Sequence, residues 1–231
     1  MKSILLDIEG TTTPIDFVHD VLFPFARRKI PIYVATNFES LGPEIEQLKA
    51  EHEKELGYTD HFDSGSAKSV AKYLAFLIDE DRKSTPLKSI QGKIWKEGYE
   101  SGELKSVVFD DVTVAFERWK SAGTTIAIFS SGSVLAQELL FRFTDHGDLT
   151  PFISSYFDTN TGSKRDPKSY SAITLELGSS SAETLFISDI VAELDAAREA
   201  GLPTALAVRP GNPAIETDVS HRVVTTFDGL G

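Results

Sequence analysis

The first residues of the chain place two carboxylates two positions apart at the end of a short apolar run. The run over residues 3–6 meets Asp7, and Glu9 follows before Gly10 and a stretch of threonines. An apolar run that ends in a turn signal is typical of a strand buried on both faces of a parallel sheet. Ligands bind beyond the carboxyl ends of such strands. Asp7 can therefore be a nucleophile, a ligand for a hard cation such as Mg²⁺, or only a turn residue after the strand.

Further segments resemble this first strand and also end in polar residues. The predicted strands are residues 124–129, 183–187 and 204–208, with shorter strands at 156–158 and 222–224, and the predicted helices are residues 112–122, 167–177 and 191–200. Strands that alternate with helices indicate βαβ units and a parallel sheet. The predicted fold class is therefore α/β, with a doubly wound parallel sheet whose polar strand ends share one edge. Ser130, Ser131 and Asp189 lie at those ends.

A long segment with a different hydrophobic pattern separates the first strand from the second. Over residues 15–106 apolar residues recur at helical spacing, as they do from Val70 to Leu77. This pattern predicts a helical domain, residues 15–106, inserted into a catalytic core made of residues 1–14 and 107–231. An inserted domain that is joined to the core beside the polar edge can act as a lid.

Composition excludes several classes of function. The net charge of −12 argues against nucleic acid or an anionic membrane as the main partner, and an anionic substrate would need local positive charge such as a bound cation. Because the chain has no cysteine, disulfides, zinc–thiolate sites and thiol nucleophiles are excluded. No segment approaches the roughly 20 apolar residues that span a bilayer, and the first residues lack a signal-peptide pattern. We therefore expect a cytoplasmic protein, also nuclear if its source is a eukaryote, and a monomer.

The polar strand ends together supply the parts that phosphoryl transfer requires. That reaction needs an in-line nucleophile, a cation that stabilises the equatorial oxygens, and hydrogen-bond donors around them. Asp7 can attack phosphorus, and Mg²⁺ between Asp7 and Asp189 can offset the repulsion between carboxylate and phosphate. Ser131 and Lys164, which lies in the loop before the helix at 167–177, can hold the phosphate oxygens. Glu9 can protonate the leaving oxygen and then activate water.

The order of these residues resembles the haloacid dehalogenase superfamily of Mg²⁺-dependent phosphohydrolases. The resemblance covers residues 4–211, with the helical insert where that superfamily places a cap, although most members have aspartate where this chain has Glu9. Several phrases are similar to one branch, the enolase-phosphatases of methionine salvage, also called acireductone synthases. These phrases are Leu5–Ile15, Gln91–Trp95, Gly98–Lys105, Phe129–Val134 and Val208–Asn212.

The resemblance implies a reaction in two steps. The substrate 2,3-diketo-5-methylthiopentyl 1-phosphate is enolised, and its phosphate is then hydrolysed to give the acireductone 1,2-dihydroxy-3-keto-5-methylthiopentene. The family assigns catalysis to Asp7, Glu9 and Lys164, one Mg²⁺ to Asp7, Glu9 and Asp189, and substrate binding to Ser130, Ser131 and Lys164. Whether Glu9 would meet the metal through its side chain or its carbonyl stays open, as does the base for the enolisation.

Other interpretations remain at this stage. A phosphatase of the same superfamily could act on another small ester, such as a sugar phosphate, although the cap phrases favour the enolase-phosphatases. A signalling receiver also joins acidic residues, a hydroxyl and a lysine on a parallel sheet, but it has no inserted domain. Glu193, one helical turn beyond Asp189, could orient Lys164 or a metal-bound water, or could simply face solvent. Three residues of the cap could reach the substrate when the cap closes, or could only pack or lie in a solvated loop: Tyr99, Glu100 and Lys105.

Overall fold

The core of the protein is a single parallel sheet, seen in a computed structural model that describes residues 1–214 and 220–230. Within these ranges the strands are β1 (Ser3–Leu6), β2 (Thr125–Phe129), β3 (Ile153–Phe157), β4 (Thr184–Ser188), β5 (Thr204–Ala207) and β6 (Arg222–Val224). They lie in the order β3-β2-β1-β4-β5-β6, and every neighbouring pair is parallel. The predicted α/β class with a doubly wound sheet is therefore confirmed.

The first strand lies at the centre of this sheet, so both of its faces and both of its edges are covered. All four residues of β1 are buried, and Leu6 is in register with Ile128 of β2 and with Ile187 of β4. The direction of the strand order reverses between β1 and β4, which is the point where doubly wound sheets open a crevice at their carboxyl ends. Residues that follow β1, β2 and β4 therefore meet at one edge.

Helices flank the sheet between its strands. They are α5 (Asp110–Ser121), α6 (Val134–Arg142), α7 (Pro167–Glu176) and α8 (Val191–Glu199), with short 3₁₀ helices at Thr150–Phe152 and Ser181–Glu183. The bounds of α5, α7 and α8 agree with the prediction to within two residues. The third strand begins earlier than predicted, at Ile153, because the polar pair Ser154 and Ser155 interrupts its apolar pattern without ending its pairing to β2.

The segment after the first strand is helical, as its periodicity predicts. It contains a π-helix (Phe17–Leu22), α1 (Phe23–Asn37), a 3₁₀ helix (Phe38–Leu41), α2 (Gly42–His52), α3 (Ala67–Asp79) and α4 (Thr85–Glu100). In α3 the stripe from Val70 to Leu77 is buried, and Ser66 caps the helix by accepting a hydrogen bond from the Ser69 amide. Within this part of the chain α1 packs on α3 and α4.

Close contacts between Cα atoms divide the chain into two compact units. One unit comprises Met1–Val18 and Lys105–Gly231, and the other is His19–Leu104. The domain limits drawn from the sequence, with a cap over residues 15–106, stay a prediction about how the chain works; residues 215–219 and 231 of the predicted core lie outside the described part. No helix in the described ranges is long and apolar enough to cross a membrane.

The buried side chain of Arg209 contacts the loop that follows β1. The guanidinium carbon of Arg209 lies 4.8 Å from the ring centroid of Phe109 and 4.3 Å from that of Phe227. Its Nε donates to the carbonyl of Thr11 (3.0 Å), and its Nη1 pairs with Asp111 at 2.9 Å. Removing one partner of a buried ion pair costs about 3–5 kcal/mol, since the other charge stays buried. Arg209 therefore stabilises the loop that carries the two predicted carboxylates.

Candidate active site

Asp7 lies directly after the central strand and is buried. Its amide donates to the carbonyl of Ile187 at 3.0 Å, so the pairing to β4 continues one residue past β1. Three donors lie within hydrogen-bond distance of the carboxylate: the Ile8 amide (2.8 Å) and Lys164 Nζ (2.6 Å) at Oδ1, and the Ser188 hydroxyl (3.1 Å) at Oδ2. The sheet thus holds an oriented carboxyl group at the centre of its carboxyl edge.

Lys164 joins two carboxylates inside this edge. Its side chain is only 7% exposed, and Nζ lies 2.6 Å from Asp7 Oδ1 and 2.6 Å from Glu193 Oε2. The backbone is held as well, because the Tyr170 hydroxyl donates to the Lys164 carbonyl at 2.6 Å. Burial alone lowers the pKa of Lys164, but the negative charges of Asp7 and Glu193 outweigh it and raise the pKa above its usual value. The ammonium is therefore charged at neutral pH and cannot act as a base there.

Asp189 follows β4 and is close to the turn after Asp7. A Cβ built on Gly10 would lie 2.5 Å from Asp189 Oδ2, and Gly10 has a φ of 65°, so only glycine fits this close approach. Burial, and then the charge of Asp7, raise the pKa of Asp189 to about 7. Asp7, Asp189 and Glu193 therefore bring three carboxyl groups to one ammonium. This surplus of negative charge suits a bound cation.

The serines after β2 lie on the same edge as Asp7, because β2 is the neighbour of β1. Ser130 is buried, its amide donates to the Phe157 carbonyl (3.1 Å), and its hydroxyl accepts from the Gly132 amide (3.2 Å). Ser131 is exposed at the edge. Gln137 in α6 donates to the carbonyls of Gly132 and Phe157, both at 2.9 Å. The serine turn is therefore held by groups beneath it, while Ser131 faces outward.

Glu9 begins a tight turn that folds back on the end of β1. The Ile8 carbonyl accepts hydrogen bonds from the amides of Thr11, Thr12 and Thr13, and the Gly10 amide donates to the Thr13 carbonyl (2.8 Å). Glu9 is paired with Thr13 in an isolated bridge and is half-buried. The turn keeps Glu9 beside Asp7 at the edge of the sheet. Its predicted roles as acid, base and metal ligand stay predictions.

The structure places residues in this cluster whose contacts the sequence did not predict. Glu193, for which a solvent-facing position was equally possible, contacts Lys164. The Ser188 hydroxyl lies 3.1 Å from Asp7 Oδ2 and 3.0 Å from Glu193 Oε2, and its single proton can serve one of them at a time. The only sequence signal for Ser188 was its place immediately before Asp189. No group of three His, Asp or Glu side chains over the described ranges is already gathered as a ligand set.

The three cap residues singled out from the sequence differ in exposure. Tyr99, in α4, is buried at 3% exposure. Glu100 and Lys105 are exposed. Their contacts with substrate stay predictions.

The chain is similar to known proteins over its whole length. A family model described as haloacid dehalogenase-like hydrolase matches residues 1–201. Enolase-phosphatase E1 of Synechococcus elongatus is 51% identical, covering 100% of this chain and 98% of the relative, and that of Drosophila persimilis is 42% identical, covering 99% and 94%. The crystal structure of the UTR4 protein of Saccharomyces cerevisiae aligns with a TM-score of 0.82 at 35% identity, covering 99% of both chains.

Solved structures of lower identity share the fold. CbbY of Rhodobacter sphaeroides in complex with phosphate aligns at a TM-score of 0.61 and 17% identity, covering 100% of this chain and 96% of that one. The resemblance first seen in short phrases thus extends over the full chain and over its architecture, and the sequence prediction of the family is confirmed. The chain belongs to the enolase-phosphatase family of the haloacid dehalogenase-like hydrolases.

Proposed function

We propose that the protein converts 2,3-diketo-5-methylthiopentyl 1-phosphate to 1,2-dihydroxy-3-keto-5-methylthiopentene and phosphate. Enolisation precedes hydrolysis of the phosphate ester, and the hydrolysis passes through an aspartyl-phosphate on Asp7. The observation that carries the proposal is the buried contact of 2.6 Å between Asp7 Oδ1 and Lys164 Nζ at the end of the central strand. A carboxylate that is held in one orientation beside a fixed ammonium is suited to attack a phosphorus atom whose oxygens the ammonium stabilises.

In the proposed hydrolysis Asp7 attacks phosphorus and Glu9 transfers the protons. An oxygen of Asp7 forms a bond to phosphorus while the bond from phosphorus to the substrate oxygen breaks, and Glu9 gives that oxygen a proton. Glu9, now ionised, takes a proton from water, whose oxygen attacks phosphorus and releases Asp7. Lys164, Ser130 and Ser131 hold the phosphate oxygens through both transfers. Because Lys164 is anchored by Glu193, its charge stays in place as Asp7 changes from carboxylate to acyl phosphate.

The residues present fit one Mg²⁺ per chain, which we propose as the cofactor. Asp7 and Asp189 would hold it through their carboxylates, and Glu9 through its carbonyl oxygen while its side chain carries the proton, because these oxygens lie on adjacent turns and Mg²⁺ prefers oxygen ligands. The raised pKa of Asp189 supports this assignment, since a buried carboxyl beside Asp7 is a poor anion until a cation offsets the repulsion. When bound, Mg²⁺ would neutralise the phosphate charge and polarise the substrate carbonyl next to the carbon that is enolised.

Binding of Mg²⁺ is expected to strengthen with pH around neutrality. With a pKa of about 7, Asp189 carries a proton below neutral pH that the metal must displace. The apparent dissociation constant should therefore fall by up to about ten-fold per pH unit from about pH 5 to pH 7, and level off above that. Titration calorimetry on the substrate-free protein measures it, and buffers of different ionisation enthalpy count the released proton. A constant that does not change with pH would contradict the assignment.

The raised pKa of Asp189 also makes the stability of the metal-free protein depend on pH. The pKa of Asp189 is raised on folding from 3.8 to about 7, so its ionisation opposes the folded state. This destabilisation is absent below about pH 4 and is complete above about pH 7 in metal-free protein. The variant Asp189→Asn removes the titrating group and serves as the control, because its stability should lack this component.

The proposed reaction is tested directly with the diketone substrate. Phosphorus NMR follows release of phosphate, and ultraviolet absorbance follows the enol, both in the presence of Mg²⁺. We expect the enol chromophore and free phosphate to appear together or in that order. Hydrolysis of a sugar phosphate without turnover of the diketone would favour the alternative phosphatase and overturn the proposed substrate.

The remaining properties follow from charge and composition. We propose that the substrate is a small phosphate ester rather than a nucleic acid or a membrane lipid, because the net charge of −12 repels polyanions. The same net charge disfavours self-association, which supports action as a monomer. The cytoplasm, with a nuclear fraction in a eukaryote, is the proposed location.

A further inference from the structure

Asn212 follows β5 and contacts the turn after Asp7. Its Nδ2 donates to the Gly10 carbonyl at 2.9 Å and to the Ala207 carbonyl at 3.2 Å. These two acceptors determine the orientation of the amide, because the flipped side chain would set its oxygen against two carbonyl oxygens. The position of Asn212 Oδ1 is therefore defined by the backbone around it.

This oxygen is buried and has no hydrogen-bond partner in the described part of the chain. It borders the same small space as Asp189, since a Cβ on Gly10 would lie 2.9 Å from Asn212 Oδ1 and 2.5 Å from Asp189 Oδ2. A buried acceptor without a donor is unfavourable. Here the acceptor is directed to a region that already holds a carboxylate, so a donor that binds there must also be compatible with negative charge.

We propose that Asn212 is a positioning residue for the cation site. Its Nδ2 holds the Gly10 carbonyl and so the turn that carries Glu9, and its Oδ1 accepts a hydrogen bond from a water molecule bound to the cation beside Asp189. Water on a divalent cation is a strong donor and satisfies both oxygens around Gly10. This inference rests on the proposed function, because it requires that Asp7, Glu9 and Asp189 hold Mg²⁺.

The test compares Mg²⁺ binding to substrate-free protein in two variants, Asn212→Ala and Asn212→Asp. Loss of a residue that orients metal ligands or their waters typically weakens metal binding by about 10–100-fold. We expect the dissociation constant of Asn212→Ala to rise by about ten-fold or more. Asn212→Asp keeps an acceptor at Oδ1 and adds a negative charge, but it sets an oxygen against the Gly10 and Ala207 carbonyls. Its affinity should therefore exceed that of Asn212→Ala and stay below that of the unaltered protein. Calorimetry measures both variants, at a temperature where circular dichroism shows each to be folded.

Asn160→Ala is the matched control. Asn160 follows β3 at the same edge of the sheet, is exposed, and donates hydrogen bonds to Asp158, so its removal should leave Mg²⁺ affinity unchanged.

Equal weakening of Mg²⁺ binding in both Asn212 variants would show that only the donated hydrogen bonds matter, and would overturn the role of Oδ1. An unchanged dissociation constant in Asn212→Ala would overturn the inference altogether, even if its melting temperature fell. If the unaltered protein itself binds no Mg²⁺, the proposed function fails with it, whereas the other failures leave that function standing.

Discussion

The Asp7→Asn variant is expected to lose phosphate release by at least about 10⁴-fold in kcat, because an amide cannot form the acyl phosphate. The substitution preserves the size of the side chain and an oxygen for the Ile8 amide, so the fold should be retained. It also removes the charge that Lys164 contacts at 2.6 Å, which leaves Glu193 as the remaining anionic partner. Phosphorus NMR with the diketone substrate and Mg²⁺ measures the loss directly.

The same experiment separates the two proposed steps. If the enol chromophore still forms while phosphate stays esterified, enolisation does not require Asp7 as a nucleophile. Loss of both signals would indicate that Asp7 also supports enolisation, through the cation or through the position of the substrate. Phosphate release at the rate of the unaltered protein would show that Asp7 is not the nucleophile.

Asp158→Asn is the matched control for this substitution. Asp158 is also a buried aspartate that directly follows a strand of the same sheet, β3. Its carboxylate accepts from the amide and the side chain of Asn160, and it serves a turn rather than the proposed reaction. We expect the control to keep most of its activity and to lose a small part of its stability. A loss as large as that of Asp7→Asn would mean that neutralising any carboxylate at this edge disables the site.

The Lys164→Met variant is expected to lose both activity and stability. Removing a charged donor that stabilises transferring oxygens costs about 10²–10³-fold in kcat. Methionine also leaves Asp7 and Glu193 buried near each other without their common ammonium. Breaking a buried ion pair from one side destabilises a protein by about 3–5 kcal/mol. Steady-state phosphate release and denaturant unfolding at neutral pH measure the two effects.

The pH dependence of this loss has a predictable direction. In the unaltered protein the raised pKa of Lys164 means that its stabilising charge is complete below the unfolded value of 10.5 and is lost as pH rises through the folded pKa. Burial and the charge of Asp7 already raise the pKa of Glu193, and Lys164 opposes that rise. In Lys164→Met the pKa of Glu193 should therefore rise further, so the destabilisation should shrink as pH falls toward about 4. A stability loss that is independent of pH would indicate a packing defect instead.

Lys168→Met is the control for the lysine substitution. Lys168 is exposed in the first turn of α7, four residues beyond Lys164, and the same chemical change there removes a charge from solvent. Exposed charges contribute little to stability, so we expect activity and unfolding close to those of the unaltered protein. Arg165, next to Lys164 in the sequence, is also exposed.

The amino-acid sequence by itself determined the elements of the fold and the residues at their ends. Strand and helix patterns are local, because side chains repeat every two residues in a strand and about every 3.6 in a helix. The edge shared by Asp7, Ser131 and Asp189 then follows from the rule that parallel strands end on the same side. Short sequences in the cap and around Arg209 resemble the enolase-phosphatases and supported the assignment to that family. The strand and helix patterns alone do not indicate it.

Only the tertiary structure decided which side chains meet at that edge. Lys164 reaches Asp7 from the loop before α7, where Tyr170 donates to its carbonyl. Glu193 reaches Lys164 because α8 packs on the sheet, and periodicity could not say which face of α8 Glu193 would occupy. The same holds for Asn212, whose bond to the Gly10 carbonyl joins residues 202 positions apart. Such contacts depend on the register and packing of distant segments rather than on the propensity of either one. The sequence therefore supplies the chemical groups, and their hydrogen-bonded arrangement exists only once the sheet has assembled.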